Sequence, residues 1–253
     1  MNKEEYISRI GIRGNLSANL ETLKLLQRHH LLNVPFENMD IHWKRPIILN
    51  TAMFYEKIVG MRRGGFCYEL NGLFNELLRE IGFKTRIVSA RVANGNGGFG
   101  PEYDHAAIIV SIGETEHLAD VGFGAFTTEP LQFVLNEEQR DDAGIFIIRQ
   151  FDDGYYEIAK KNGQDWKSEY IFRPLSRDLS EFTQMCDFQQ YSPESHFTKG
   201  KVCSLLTASG RKTLTNKSFI VTSDGEKEET PVLSDEEFDR ILMREFNIAR
   251  PQL

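Results

Sequence analysis

The chain has 253 residues and a hydrophobic fraction of 40%, enough for one large domain or two to three small ones, which excludes disordered and fibrous classes. Its 30 basic and 37 acidic residues give a net charge of −7, which disfavours a nucleic-acid partner because duplex binding needs a basic face. The longest apolar run, residues 106–110, is far shorter than the ~18 residues of a membrane span, and the first residues lack the apolar core of a signal peptide. We therefore expect a soluble, cytoplasmic protein with no membrane partner.

Helical patterns dominate the first third of the chain. Leucines recur every three or four positions over residues 16–26, behind a possible N-cap at Ser17, and predict a helix there. A stronger apolar stripe follows helical spacing over residues 70–81, and Gly82 is placed to end that helix. Residues 1–83 are therefore predicted to be mainly helical.

The middle of the chain changes to the two-residue alternation of strands. Clusters of Gly, Asn and Asp separate four such stretches, at residues 86–92, 106–110, 145–148 and 155–158. This pattern predicts antiparallel strands that form either a barrel or a sandwich.

The last third combines helices with short strands. A capping box at Asp178 and Glu181 predicts a helix near residues 178–190, and a second one at Ser234 and Glu237 predicts a final helix. Between them, short strands are predicted at residues 202–206, 211–214 and 218–221.

A glycine-rich segment at residues 95–100 matches the G-x-G-x-x-G pattern of dinucleotide sites, and Asp120 even stands where a ribose-binding acid would. A dinucleotide site needs a helix directly after the glycines, but Pro101 and a strand-like stretch follow here. We interpret the segment as a loop between strands.

Cys67 is the first candidate for chemistry, because it lies where the helix with the strong apolar stripe should begin. A helix N-terminus and the nearby Arg62 and Arg63 would lower the pKa of a thiol from its usual value of about 8.5. Gly64 and Gly65 would let backbone and substrate approach the sulfur closely. The alternative is that Cys67 is only a small buried hydrophobe.

The other cysteines and the histidine pair indicate no further chemistry. Cys186 and Cys203 lie in apolar stretches and are interpreted as buried thiols, and an odd cysteine count argues against a disulfide framework. His29 and His30 point in different directions on a helix and are expected at the surface. No metal site is predicted.

His105 begins one predicted strand and Asp120 lies in the next, with a turn at residues 113–115. Because side chains alternate along strands, a two- or four-residue loop would place both on one face, whereas a three- or five-residue loop would separate them. The sequence leaves both registers open. In the first, Asp120 can orient the imidazole and stabilise its protonated form, while the other ring nitrogen faces a thiol.

These residues and their neighbours resemble the arylamine N-acetyltransferase family. The segments that carry the resemblance are VPFEN at residues 34–38, RRGGFCYELN at 62–71, the strand that begins at His105, DVGFG at 120–124 and SHF at 195–197. RGGFCYE is the specific signature among them, and the others support it.

The resemblance implies an α+β fold with a cysteine-protease-like catalytic core. A helical bundle would span residues 1–83 and carry the nucleophile, and an antiparallel β-barrel over residues 84–190 would carry the histidine and the aspartate. An α/β lid would follow over residues 191–253.

The resemblance also implies a catalytic triad of Cys67, His105 and Asp120, with acetyl-CoA as acyl donor and no metal. Cys67 would take the acetyl group from acetyl-CoA and pass it to an arylamine or arylhydrazine nitrogen by ping-pong kinetics, while His105 handles the proton. Phe36 and Phe123 match family positions that line the pocket for the aromatic acceptor. The residues that contact coenzyme A and the oligomeric state stay open.

Two alternatives compete with this hypothesis. The order Cys, His, Asp also fits a cysteine hydrolase or a transglutaminase-like acyl transferase that acts on peptide or amide substrates. The other alternative is a non-catalytic binding module on an old enzyme scaffold, for which an ordinary thiol pKa at Cys67 would be the sign.

Overall fold

A computed structural model describes residues 1–251, so the last two residues of the predicted lid lie outside the described residues. Within this range, no helix is long and apolar enough to cross a membrane. The α-helices are α1 (Lys3–Arg9), α2 (Leu20–Asn33), α3 (Met39–His42), α4 (Thr51–Tyr55), α5 (Cys67–Ile81), α6 (Thr183–Tyr191), α7 (His196–Lys199) and α8 (Asp235–Phe246). A π-helical turn (Glu56–Gly60) extends α4, and a 3₁₀ turn (Leu179–Phe182) precedes α6.

Strands alternate with these helices along the described chain. They are β1 (Phe36–Glu37), β2 (Lys84–Val92), β3 (His105–Ile112), β4 (Thr115–Ala119), β5 (Leu131–Gln132), β6 (Gln139–Asp141), β7 (Gly144–Gln150), β8 (Tyr156–Asn162), β9 (Asp165–Phe172), β10 (Val202–Thr207), β11 (Gly210–Thr215), β12 (Ser218–Ser223) and β13 (Glu226–Pro231).

The first third is helical as predicted, with one corrected boundary. α5 buries its apolar stripe, and Gly82 ends it in the left-handed region at φ 108°, where a residue without a Cβ is favoured. The N-cap of α2 is Asn19, not Ser17, because the Asn19 side chain reaches the N–H of Thr22 at 2.9 Å.

Eight antiparallel strands form a nearly closed barrel in the order β5-β4-β3-β2-β9-β8-β7-β6. The side chain of Gln139 joins the two edge strands, β5 and β6. The backbone N–H of Gln132 donates to Oε1 of Gln139 at 2.7 Å, and Nε2 of Gln139 donates back to the carbonyl oxygen of Gln132 at 2.8 Å. Buried aliphatic and aromatic side chains fill the interior. The middle of the chain is therefore a barrel rather than a sandwich, and residues 95–100 lie in its β2–β3 connection, as predicted.

The C-terminal region is a second antiparallel sheet in the order β1-β10-β11-β12-β13, with α8 packed on one face. The predicted strands there correspond to β10, β11 and β12. The sequence analysis missed β13, since every residue of this edge strand is exposed and its sequence, EKEETP, has no apolar alternation. β1, far away in sequence, completes the sheet and ties it to the segment that precedes Cys67.

Candidate active site

Cys67 is the first residue of α5 and is only 4% exposed. The residue before it, Phe66, has an extended backbone, and its N–H donates to the carboxylate of Glu69 at 2.8 Å. This contact satisfies one of the N–H groups that a helix start leaves unpaired, so the helix begins at the cysteine. The predicted position of Cys67 at the helix N-terminus is confirmed.

A buried group of charges holds the segment that leads into Cys67. We call it the Arg63 cluster, and it consists of Glu37, Asp40, Lys57, Arg63 and Glu69. Arg63 contacts the carboxylates of Glu37 and Asp40 at 2.6 and 2.5 Å. Lys57 contacts those of Asp40 and Glu69 at 2.7 and 2.8 Å. Burial acts to raise the pKa of Asp40, but the charges of Lys57 and Arg63 outweigh it and lower that pKa.

Gly64 permits a close approach between this segment and β1. A Cβ at Gly64 would collide with the carbonyl oxygen of Pro35, so no other residue fits there without a shift of the backbone. The N–H of Glu37 donates to the carbonyl of Gly65 at 2.9 Å, and the N–H of Gly65 donates to that of Pro35 at 3.2 Å. The close backbone approach at Gly64 is therefore to Pro35, whereas the predicted approach of backbone and substrate to the sulfur stays a prediction.

The prediction of a lowered thiol pKa is wrong. Burial raises the pKa of Cys67 well above its usual range, and the nearby Cys186, Asp104 and Asp120 act in the same direction. Arg63 cannot offset them because its guanidinium is committed to two carboxylates, and Arg62 is exposed.

The β3–β4 hairpin carries a histidine and a carboxylate that contact each other. Ile112 pairs with Thr115 across a two-residue loop, so side chains at His105 and Asp120 extend from the same face of the hairpin. Nε2 of His105 lies 2.7 Å from Oδ2 of Asp120, and both side chains are almost fully buried. The register that the sequence left open is the favourable one, and this contact leaves Nδ1 as the ring nitrogen available to a thiol.

Asp120 accepts hydrogen bonds from several further groups, none of which carries a permanent charge. Its carboxylate accepts from Nδ2 of Asn71 at 2.9 Å, from the N–H of Gly122 at 2.9 Å and from the hydroxyl of Tyr170 at 3.2 Å. We call His105, Asp120, Asn71 and Tyr170 the Asp120 network. These donors hold the carboxylate in one orientation toward the imidazole.

Asn71 was missed as a functional residue by the sequence analysis, although it stands four positions after Cys67 on the same helix. Besides Asp120, its Nδ2 contacts the carbonyl of Ala106 at 2.6 Å, and its Oδ1 accepts from the N–H of Val121 at 2.9 Å. Asn71 thereby ties the helix that carries the thiol to both strands of the hairpin. The spacing of one helical turn was the signal that could have found it.

Gly122 brings the residues after Asp120 directly onto the cysteine. A Cβ at this position would lie 2.9 Å from Cα and 3.0 Å from the carbonyl oxygen of Cys67. A larger residue would push the hairpin away from the start of α5. Together with Asn71, this contact places Cys67 beside the His105–Asp120 pair, which the three positions alone could not reveal.

Both predicted acceptor-pocket residues lie beside the site. Phe123 packs edge-on against the ring of His105, with centroids 5.1 Å apart, and also lines a cavity of about 530 Å³ next to the β2–β3 loop. Phe36 packs on Phe66, the residue before Cys67, at 5.8 Å, and Phe197 packs on the same ring at 4.6 Å.

The prediction that His30 is a surface residue is wrong. Its side chain is completely buried between the rings of Tyr6 and Phe74, at 6.0 and 5.3 Å, and within residues 1–251 neither ring nitrogen has a hydrogen-bond partner. Burial, together with the charge of Arg9, lowers the pKa of His30 to about 3. Its helical spacing from the buried Leu23 and Leu26 was the signal for this position.

Cys186 and Cys203 are free and buried, as predicted. In the described part of the chain, no group of three or more His, Cys, Asp and Glu side chains is arranged to hold a metal ion.

Comparison with known proteins identifies similar sequences. The sequence model of the N-acetyltransferase family matches residues 19–251. An arylamine N-acetyltransferase of Escherichia coli is 34% identical over 232 residues, which cover 91% of this chain and 82% of the relative.

Solved structures of the same kind share the fold. An arylamine N-acetyltransferase of Bacillus cereus, reported with a Cys-His-Glu catalytic triad, has a TM-score of 0.91 and 26% identity over 99% of this chain and all (100%) of that one. One of Mycobacterium marinum, solved in complex with CoA, has a TM-score of 0.88 and 25% identity over 96% of this chain and 92% of that one. These matches extend over the bundle, the barrel and the lid alike.

Proposed function

This chain belongs to the arylamine N-acetyltransferase family, and we propose that Cys67, His105 and Asp120 are the catalytic triad of its reaction. The reaction moves an acetyl group from acetyl-CoA to an arylamine or arylhydrazine nitrogen through an acetyl-cysteine intermediate. The observation that carries the triad is the 2.7 Å contact between His105 and Asp120, tied through Asn71 to the helix that Cys67 begins. The Bacillus cereus relative is reported with a glutamate in its triad, and either carboxylate can orient an imidazole.

In the first half-reaction, His105 takes the proton of the Cys67 thiol through Nδ1. The thiolate attacks the carbonyl carbon of the thioester, and the coenzyme A sulfur leaves with a proton from the imidazolium. The acetyl group is now bonded to Cys67. Asp120 stabilises the positive charge that His105 carries in between.

In the second half-reaction, the acceptor nitrogen attacks the acetyl carbon of the cysteine thioester. His105 takes the proton that the nitrogen loses, and the Cys67 sulfur leaves and regains a proton. Because the raised thiol pKa disfavours a free thiolate, the sulfur is charged only while the imidazolium stands beside it. Two separate steps suit a weakly basic aromatic amine, since it meets an acyl group that is already activated.

Phe36 and Phe123 form part of the acceptor pocket in this proposal. The stacking of Phe123 on His105 and the packing of Phe36 on Phe66 support it, because both rings lie beside the two reacting side chains. Aromatic faces at this distance would hold the acceptor ring by edge and stacking contacts.

The division into residues 1–83, 84–190 and 191–253 is likewise a proposal. Separate clusters of buried apolar side chains support it, one centred on α1, α2 and α5, one inside the barrel and one beneath α8. A fourth cluster contains Cys67 and joins the helical region to the barrel, so the site lies at the boundary between two of these ranges.

The test is mass spectrometry of the intact protein and its peptides after mixing with acetyl-CoA in the absence of an amine. We expect one acetyl group on Cys67, discharged when an arylamine is added, and no adduct in Cys67→Ala. Cys203→Ala is the matched control, because it removes a buried thiol from the separate cluster beneath α8 and should acetylate normally. A folded protein that forms no adduct but hydrolyses amides would favour the cysteine hydrolase or transglutaminase-like alternative.

A further inference from the structure

A cavity of about 580 Å³ opens where the helical region, the barrel and the lid meet, and residues 125, 126 and 128 of the segment that follows Asp120 line part of it. Helix α2, the barrel and the lid strands each contribute to its lining, with Arg28, Phe126, Lys160, Ser209, Arg211 and Thr222 among the residues. Neither half-reaction uses these side chains. Side-chain packing links the cavity lining to the candidate active site. The ring of Phe126, which lines the cavity, packs on Phe123 at 5.3 Å, and Phe123 packs on His105 at 5.1 Å; we call these two rings the Phe123–Phe126 wall.

Arg211 stands in this cavity without a counterion. Its Nη1 donates to the hydroxyl of Ser204 at 3.1 Å, but no carboxylate of the described residues lies within ion-pair distance of the guanidinium. Burial lowers the pKa of Arg211 to about 10. In the Arg63 cluster, by contrast, every buried cation contacts a carboxylate, which is the usual way to offset the cost of removing a charge from water.

Lys160 is a second cation in this cavity without a counterion. Its ammonium lies 5.4 Å from the ring centroid of Phe146 and forms no ion pair with any residue in the range 1–251. The third cation of the cavity, Arg28, is neutralised by Asp142 at 2.6 Å. One further carboxylate, the exposed Asp224, lines the rim and accepts from the hydroxyl of Ser223 at 3.4 Å. The cavity therefore has a cationic surplus on a chain whose net charge is −7.

We propose that Arg211 and Lys160 bind a phosphate group in this cavity. A guanidinium binds phosphate oxygens through paired hydrogen bonds, and an ammonium adds a point charge, whereas a neutral ligand would leave both cations unpaired. Phosphates reach this site from two sources: the nucleotide end of coenzyme A, or a free phosphate compound. The first source rests on the proposed function, and it places the phosphates beyond the Phe123–Phe126 wall from the reacting sulfur.

The experiment compares two acetyl donors in the variants Arg211→Gln and Lys160→Gln. Acetyl-CoA carries phosphates, whereas p-nitrophenyl acetate carries none and reports only on acylation of Cys67. If coenzyme A uses the site, the KM for acetyl-CoA should rise about tenfold or more in each variant, the loss that one charge-assisted hydrogen bond represents. The rate with p-nitrophenyl acetate should stay unchanged. Arg244→Gln is the matched control, since this exposed arginine lies on α8, on the other face of the lid sheet, and should leave both donors unaffected.

Thermal melting with inorganic pyrophosphate separates the two sources. If the KM for acetyl-CoA does not change, but pyrophosphate raises the Tm of the wild type and not of Arg211→Gln, the site binds a free phosphate compound. If neither quantity responds, the proposal is overturned. Should Arg211→Gln fail to fold, Lys160→Gln carries the same test. A wild type inactive with both donors would contradict the proposed function alone, because the pyrophosphate shift does not require turnover.

Discussion

Two buried polar groups flank Cys67, and they are built in opposite ways. The Arg63 cluster pairs two permanent cations with three carboxylates on the side of the chain that enters α5. The Asp120 network surrounds one carboxylate with donors that have no permanent charge, on the side of the β3–β4 hairpin. The first arrangement stabilises the backbone segment that leads into α5, and the second leaves the charge of Asp120 available to the imidazole of His105.

This difference explains why the pKa of the Cys67 thiol is raised. The permanent cations of the Arg63 cluster are paired with carboxylates, so they do not offset the effect of burial on the thiol. The pKa of the buried Cys67 thiol is therefore raised. In the proposed mechanism, His105 rather than a fixed cation therefore generates the thiolate. A fixed cation would hold a thiolate permanently, whereas an imidazole can return the proton to each leaving group in turn.

The largest effect is expected at the centre of the Asp120 network. In Asp120→Asn the imidazole loses its anionic partner, and we expect the rate of Cys67 acylation to fall about 10³- to 10⁴-fold with the fold retained. Stopped-flow measurement of the p-nitrophenol burst tests this. Asp165→Asn is the control, since that carboxylate is exposed at the start of β9 and takes no part in the Asp120 network. Near-normal acylation in Asp120→Asn would mean that Asp120 is only structural.

A substitution in the Arg63 cluster should mainly lower the free energy of unfolding. Arg63→Gln leaves the buried carboxylates of Glu37 and Asp40 short of a partner, at an expected cost of about 3–5 kcal/mol in the free energy of unfolding. Urea denaturation measures this cost. The exposed neighbour provides the control, because Arg62→Gln should change stability by less than about 0.5 kcal/mol. Equal effects of the two substitutions would contradict the assigned role.

Asn71 joins the Asp120 network to α5 and should show a smaller loss of both kinds. Asn71→Ala leaves the carbonyl of Ala106 and the N–H of Val121 without their partner, at about 1–3 kcal/mol of stability, and slows acylation because Asp120 loses a donor. One turn further along, Asn75→Ala is the control. The Oδ1 of Asn75 has no partner among the described residues, so its loss should cost below about 1 kcal/mol. The idea fails if Asn75→Ala proves the more damaging change.

His30 extends the comparison to a buried titratable group whose ring nitrogens have no hydrogen-bond partner among the described residues. Its pKa is about 3 in the folded chain against a usual 6.5, so the unfolded chain binds a proton that the folded chain excludes between these values. Stability should therefore decrease as the pH falls from 6.5, by at most about 1.4 kcal/mol per pH unit from this residue. Urea titrations of wild type and His30→Phe at several pH values test it. An identical pH slope in both proteins would refute the assignment.

Several local features could be predicted from the sequence because their causes lie within a few residues. The stripe over residues 70–81 needs only helical periodicity to become α5, and Gly82 ends it through its own backbone freedom. The alternating stretches became β2, β3, β7 and β8 for the same reason. The sequence analysis missed β13 because this strand is defined by its hydrogen bonds to β12 and has no apolar pattern of its own.

In the candidate site, too, some features have local causes and others depend on partners that are distant in sequence. The sequence by itself was enough to predict Cys67, His105 and Asp120 as a catalytic triad, since nucleophilic chemistry needs these residue types and the RGGFCYE signature that carries the family resemblance is local. Only the tertiary structure decided the hairpin register, the part played by Asn71 and the direction of the Cys67 pKa. Burial and the choice of counterion depend on partners distant in sequence, so Arg63, adjacent in sequence to the catalytic segment, serves Glu37 and Asp40 and not the thiol.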